Sequence, residues 1–246
     1  MPFTHLHVHS NYSYGMGSST VESLIAKASA GGYESLAITD YNTMVGTVEF
    51  YSIAKDYGIR PLIGCEIDDP KKASVKAVLL CATTAGYERM CMLISGRQLD
   101  PEFDLIAALK ADADGLIILS YSLEVLASVK GENLYGELVI IPAYKKRNRL
   151  LYEFSVKNNL PMVLTNDVYF SEPEDFEMHH LLSAMKNLST VYDLKPAVSR
   201  EQYLKSPDEM RKAGSAVADA VRHTEKISKQ CRFEFTLKKY HCAKYR

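Results

Sequence analysis

Seven short apolar runs recur along the first 165 residues, at 3–8, 35–39 (SLAIT), 60–67 (RPLIGCEI), 75–82 (VKAVLLCA), 116–120 (LIILS), 138–141 (LVII) and 162–165 (MVLT). They are continuous rather than alternating, so strands built from them bury both faces. Segments with helical spacing lie between most of them, at 20–30, 43–57, 87–95, 103–111, 123–129 and 143–158. Thr20 is placed to cap the first of these, and Gly31 and Gly32 to stop it. Strands mostly followed by helices predict a parallel sheet with helices outside it, either a small α/β barrel or a doubly wound sheet. Beyond Phe170 the pattern turns helical, over 173–185 and 207–231.

A chain of 246 residues with 47% hydrophobic content can bury a core without staples and is too apolar for disorder. No apolar run approaches the ~18 residues that span a bilayer, and no leader pattern opens the chain. A net charge of −1 gives no global attraction to nucleic acid, so such a contact must be local. The five cysteines (Cys65, Cys81, Cys91, Cys231, Cys242) form no CxxC pair. Their odd number and scatter predict reduced thiols in a cytoplasmic protein.

The first run carries His5-Leu6-His7-Val8-His9. Alternate strand residues share a face, so His7 and His9 point the same way and can offer two imidazoles to one metal. The ends of other strands add carboxylates: Asp40, Glu66 and Asp167. In a parallel barrel these ends converge on one mouth, where catalytic groups collect. Asp40 and Asp167 taken singly also fit helix caps after a strand. Glu66 does not, and a carboxylate ending a buried apolar strand calls for a cation.

The opening HLHVHSNYS, followed by LAITDYNTMVGTVEFYSIAKDYGIRPLIGCEI, resembles the PHP (polymerase and histidinol phosphatase) domain carried by bacterial DNA polymerase III alpha subunits. TNDVYFSEPEDFEMHHLLSAM, EQYLKSPDEM and CRFEFTLKKYH are similar to later parts of the same domain. The resemblance implies a distorted (β/α)7 TIM-like barrel. It also implies up to three Zn, Mn or Fe ions at the C-terminal mouth and hydrolysis of phosphoesters, including 3′-end proofreading in some polymerase versions. Other members are inactive and structural.

Carried over residue by residue, the resemblance puts His7, His9, Glu66 and Asp167 at one metal position. Asp40 matches the Asp of the family's Asp-His pair and is the candidate catalytic carboxylate, but Tyr41 stands where the His would be. Met16 replaces a family Asp, and Tyr169 replaces the His two residues beyond Asp167. Lys76 and Ser122 stand at further ligand positions. One four-ligand set is whole and the others are emptied, so the expected cofactor is one divalent metal per chain at most. An ammonium at Lys76, if it faces the mouth, would neutralise Glu66 where a metal would otherwise sit.

The run Tyr144-Lys145-Lys146-Arg147-Asn148-Arg149 follows the sixth apolar run and falls at the mouth of a barrel. Arg147 and Lys76 are the candidate ligand-binding cations, for phosphate or a DNA backbone. A solvated first helical turn is the plainer account of that run. His179 and His180 read as structural, and His223 as a surface residue. Residues 1–232 are expected to form the barrel with its C-terminal helices, and 233–246 a basic extension. The chain holds no polymerase palm, so polymerisation is not expected of it. The resemblance implies a largely non-catalytic structural or interaction module, with other polymerase domains or replisome subunits as partners. The alternative is a phosphoesterase or 3′–5′ exonuclease working with one retained metal.

Overall fold

The computed structural model describes residues 2–236. Six strands form one curled sheet in chain order: β1 (Ser35–Ile38), β2 (Arg60–Asp69), β3 (Lys72–Cys81), β4 (Leu116–Ser120), β5 (Leu134–Val139) and β6 (Met162–Thr165). The helices around it are α1 (Val21–Ala30), α2 (Thr47–Asp56), α3 (Thr84–Leu99), α4 (Leu105–Ala111), α5 (Leu123–Ser128), α6 (Lys145–Lys157), α7 (Phe176–Lys186), α8 (Pro207–Ala213) and α9 (Ala218–Gln230). Thr20 caps α1 as expected, its hydroxyl accepting the Ser23 N–H. None of the described helices is long and apolar enough to cross a membrane.

The sheet is parallel at β1–β2, β4–β5 and β5–β6. β3 departs from the expected pattern and runs antiparallel to both β2 and β4. Only Pro70 and Lys71 separate it from β2, whereas a parallel crossover needs about a dozen residues. The start of β3 therefore lies beside the end of β2, with Lys76 opposite Asp68. That reversal brings Lys76 to the rim where the parallel strands end.

The segment 3–8, expected as a regular strand, is extended but joins its neighbours irregularly. It lies between β1 and the residues after β6. His5 and Val8 carbonyls accept the Ala37 and Thr39 N–H groups at 3.0 and 2.8 Å. On the other side, Val168 donates to the His7 carbonyl at 3.0 Å and accepts from His9 at 2.8 Å. The Val8 N–H is taken by the Thr39 hydroxyl at 2.8 Å, so a side chain replaces one rung of the ladder. The result is the distorted TIM-like barrel that the sequence predicts, with this segment along its seam.

Two apolar clusters follow from the period of two along each strand. Leu62, Val78, Leu80, Ile117, Leu119 and Val163 point into the barrel, together with Leu6. Their neighbours Ile63, Leu79, Ile118 and Leu164 face the surrounding helices. Ile227 and Cys231, at the end of α9, join the interior cluster. The expected helix over 207–231 is broken at Gly214, where a β-carbon would come within 2.6 Å of Leu164 and 2.4 Å of Val221. Only a bare Cα permits that approach.

Past α9 the chain stays packed. Phe233 stacks on Tyr87 with centroids 4.6 Å apart, and Phe235 lies edge-on to Tyr51 and Tyr87. The rest of the expected basic extension, with His241 and Cys242, lies outside the described residues. Cys65, Cys81, Cys91 and Cys231 are free thiols.

Leu119 is fully buried inside the barrel, while Leu188 is 97% exposed. Leu119→Ala is expected to cost about 2–5 kcal/mol through lost burial and a residual cavity. Leu188→Ala should stay within about 0.5 kcal/mol. Denaturant unfolding of the two variants measures the difference, and equal losses would contradict a packed barrel interior.

Candidate metal centre

His7 and His9 come from the seam segment, Glu66 from β2 and Asp167 from the turn after β6. The structure brings them together at the mouth. The two Nε2 atoms are 3.0 Å apart, and Asp167 Oδ1 lies 3.4 Å from that of His7 and 3.5 Å from that of His9. His7, His9 and Asp167 each offer a ligand atom within 4.8 Å of the others. Glu66 stands beside them, its Oε2 3.6 Å from His9 Nε2 and its Oε1 3.8 Å from His7 Nε2. All four residues are buried.

The far side of each group is tied down. His7 Nδ1 donates to Glu137 Oε1 at 2.6 Å, and the Thr165 hydroxyl donates to the same oxygen at 2.6 Å. His9 Nδ1 lies 3.2 Å from the Ser13 hydroxyl, which commits its own proton to Asp40 Oδ1 at 2.6 Å. A carboxylate and a spent hydroxyl can only accept, so each neutral imidazole keeps its proton on Nδ1 and turns the Nε2 lone pair inward.

Asp167 has φ +46°, a left-handed conformation that Asp tolerates better than most residues. Gln202 Nε2 holds it, donating at 3.0 Å to both its backbone carbonyl and Oδ2. Asp167 Oδ1 and Glu66 Oε2 are then buried acceptors without a donor among the described residues. Two inward lone pairs and two unsatisfied carboxylate oxygens form a donor set suited to a divalent cation.

The electrostatics point the same way. Burial opposes a proton on His7, but Glu137, Asp167 and Glu66 outweigh it and raise its pKa to about 9. Burial would raise the Asp167 pKa, yet His7, His9 and Lys76 hold it well below the usual carboxylate range. The carboxylates draw positive charge to this point, and a proton on His7 is the smallest cation that answers.

Lys76 faces the mouth and forms an ion pair with Glu66 Oε1. Its side chain is 15% exposed. Burial works against its charge, but Glu66 and Asp167 keep its pKa well above the ordinary lysine value. It remains an ammonium. A fixed positive charge thus flanks Glu66 at the mouth.

Asp40 is not part of the cluster. Its oxygens accept from the Ser10 N–H at 2.7 Å and from the Ser10 and Ser13 hydroxyls at 2.8 and 2.6 Å. The Tyr169 ring stacks on His9, centroids 4.5 Å apart at 23°. The Tyr41 hydroxyl bonds Asp68, and Met16 packs against the Tyr169, Phe170 and Phe176 cluster. Arg147 lies at the mouth between the rings of Tyr121 and Tyr144.

The other histidines among the described residues are accounted for locally. His5 Nε2 lies 3.0 Å from the Lys205 carbonyl, and burial lowers its pKa to about 4. His179 and His180 bond the carbonyls of Met16 and Val191. His223, expected at the surface, is half-buried, with Nδ1 2.6 Å from the Met162 carbonyl. That bond ties α9 to β6.

Sequence reading missed Glu137 and Gln202. Glu137 lies in LYGELVII, a carboxylate inside an apolar run, and the logic applied to Glu66 would have found it. Gln202 sits in an irregular stretch, where no spacing marks its role.

The PHP domain family model matches residues 5–160. The DNA polymerase III subunit alpha of Vibrio cholerae is 30% identical over 97% of this chain and 23% of its own length. The error-prone DNA polymerase of Symbiobacterium thermophilum is 29% identical over 94% of this chain and 25% of its own length. The chain thus spans about a quarter of the length of these curated relatives. A solved structure from Bifidobacterium adolescentis, described as a candidate metal-dependent phosphoesterase, covers 68% of this chain and 87% of its own, with TM-score 0.46 and 15% identity. With more than half of its residues matched by the family model, this chain belongs to the PHP domain family.

Proposed function

We propose that this chain is a PHP barrel that retains one metal position and has given up the others. It serves mainly as a structural and ligand-holding module rather than as an efficient phosphoesterase. The observation that carries this reading is the Glu66–Lys76 ion pair. An ammonium there supplies a second metal's charge but cannot coordinate a water molecule. Tyr41 and Tyr169, both phenols whose pKa burial raises, stand at other lost ligand positions and stay neutral.

His7, His9, Glu66 and Asp167 would hold the retained ion, which would be Zn, Mn or Fe, with at most one per chain. Such an ion, when bound, supplies Lewis-acid polarisation of a phosphoryl oxygen. Glu137 fixes the ring of His7, and Gln202 fixes Asp167. Asp40, the candidate catalytic carboxylate, acts in this reading as a positioning residue, because it holds Ser13 and Ser13 holds His9. Arg147 and Lys76 supply the cations that phosphate or DNA would meet at the mouth. The likeness to polymerase III alpha subunits supports other polymerase domains or replisome subunits as partners, in a cytoplasmic setting.

Elemental analysis of protein purified without added metal or chelator should find no more than one transition-metal equivalent. His9→Ala should abolish it, and Glu137→Gln should weaken it by about 10–100-fold. Two or three equivalents would overturn the single-metal reading.

Hydrolysis of a chromogenic phosphoester or a 3′-labelled primer, with Mn or Zn added, should be weak or absent. Losing one electrostatic donor from such a site costs about 10²–10³ in rate, and losing a metal should cost at least that. Robust turnover abolished by Asp167→Asn would instead establish a one-metal phosphoesterase or exonuclease, the reading that the intact four-residue set favours.

The triple variant Met16→Asp, Tyr41→His and Tyr169→His is expected to gain metal and some activity. A folded triple variant with no added metal would show that these positions do not share a site.

A further inference from the structure

Helix α7 carries two contrasting faces. Its inner side buries Phe176, His179, His180 and Ala184. At the edge of that side Lys186 reaches the lining of the mouth, with Nζ 5.9 Å from the centre of the Tyr41 ring. The opposite side presents Met178, Leu181 and Met185, which are 53, 44 and 63% exposed. Leu188 and Tyr192 follow just past the helix end and are almost wholly exposed. The positions 178, 181, 185, 188 and 192 alternate steps of three and four. On a helix that alternation sets apolar side chains in one stripe.

Leu188 is costly where it stands. Its φ is +49°, the left-handed conformation that closes a helix and favours glycine. Its N–H donates to the Met185 carbonyl at 3.1 Å, and the Ser189 N–H donates to that of Ala184 at 2.9 Å, so the turn is held. Neither backbone preference nor burial among the described residues accounts for a leucine there.

The exposed fractions of these five side chains amount to an apolar area on the order of 500 Å². One side of a standard interface buries about 800 Å², and homodimer interfaces are about 65% apolar. The stripe therefore supplies the apolar share of one such face. Charge is sorted along the same helix. Glu174, Asp175 and Glu177 stand at its N-terminal end, where Arg200 pairs with Glu177. Lys186, Asp193 and Lys195 stand at the other end. The first end has an excess of acids and the second an excess of bases. Parallel pairing of two such helices would set like charges together, whereas antiparallel pairing sets opposite charges together and opposes the helix dipoles.

We infer that this stripe is the contact between two copies of the chain, related by a two-fold axis with their α7 helices antiparallel. An isologous contact of this kind requires a self-complementary surface. With the axis level with Ser183, Leu181 of each copy meets Met185 of the other, and Met178 meets Leu188. The area is that of a reversible dimer, with a dissociation constant on the order of tens of micromolar. Below that concentration the chain is monomeric, and Leu188 is as exposed as the fold shows. The contact requires no ion at His7 and His9.

Sedimentation velocity of the full chain, from low micromolar to several hundred micromolar, tests the contact. A monomer that converts to dimer across this range is expected. Met185→Glu and Leu188→Glu each place two like charges in the contact and should raise the dissociation constant at least about tenfold. Val156→Glu, at an exposed position on α6, should leave it unchanged. Circular dichroism confirms that each variant is folded. A monomer throughout the range would overturn the inference and leave the stripe to a different partner. A dimer that survives both stripe variants, or that Val156→Glu disrupts equally, would overturn it as well.

Discussion

The mouth of this barrel is organised by one electrostatic requirement: buried charge must be answered locally. Glu66, Glu137 and Asp167 are all within the protein, where an unpaired carboxylate is too costly to persist. Glu137 is answered by His7 and Thr165, and Glu66 by Lys76. Asp167 is answered in part by Gln202 and by the field of His7. What remains unanswered, one oxygen each of Glu66 and Asp167, faces the two imidazoles. The candidate metal position is what this balance leaves over, not a feature added to it.

That balance depends on chain direction. Lys76 reaches Glu66 because β3 runs against its neighbours and starts where β2 ends. A parallel β3 would have put its early residues at the opposite end of the barrel. The two-residue connection that forces the reversal therefore also delivers the ammonium. The seam segment makes a similar trade. Replacing a ladder rung with the Thr39 hydroxyl costs regularity but leaves His7 and His9 converging at 3.0 Å.

Much of this was legible in the sequence. Continuous apolar runs separated by helical spacing implied a parallel α/β sheet, barrel or doubly wound, the resemblance to PHP domains selected the barrel, and the ends of those runs named Glu66 and Asp167. The H-x-H pair converges as strand geometry dictates. The antiparallel β3 was legible in principle, since the gap between the runs at 60–67 and 75–82 is too short for a crossover. Glu137 was hidden because its strand begins four residues before the expected start at 138. Gln202 and Lys186 act through tertiary contacts from irregular or distant segments, which no local period encodes. Asp40 illustrates the opposite case: its position at a strand end was read correctly, but only the structure shows that Ser10 and Ser13 occupy its oxygens.

The central claim is that an ammonium stands where a second metal would bind beside Glu66. Anomalous diffraction from crystals soaked in Mn or Zn locates each ion directly. The account predicts one peak, among His7, His9, Glu66 and Asp167, with Lys76 Nζ still against Glu66 Oε1. A second peak beside Glu66, with Lys76 displaced toward solvent, would contradict it.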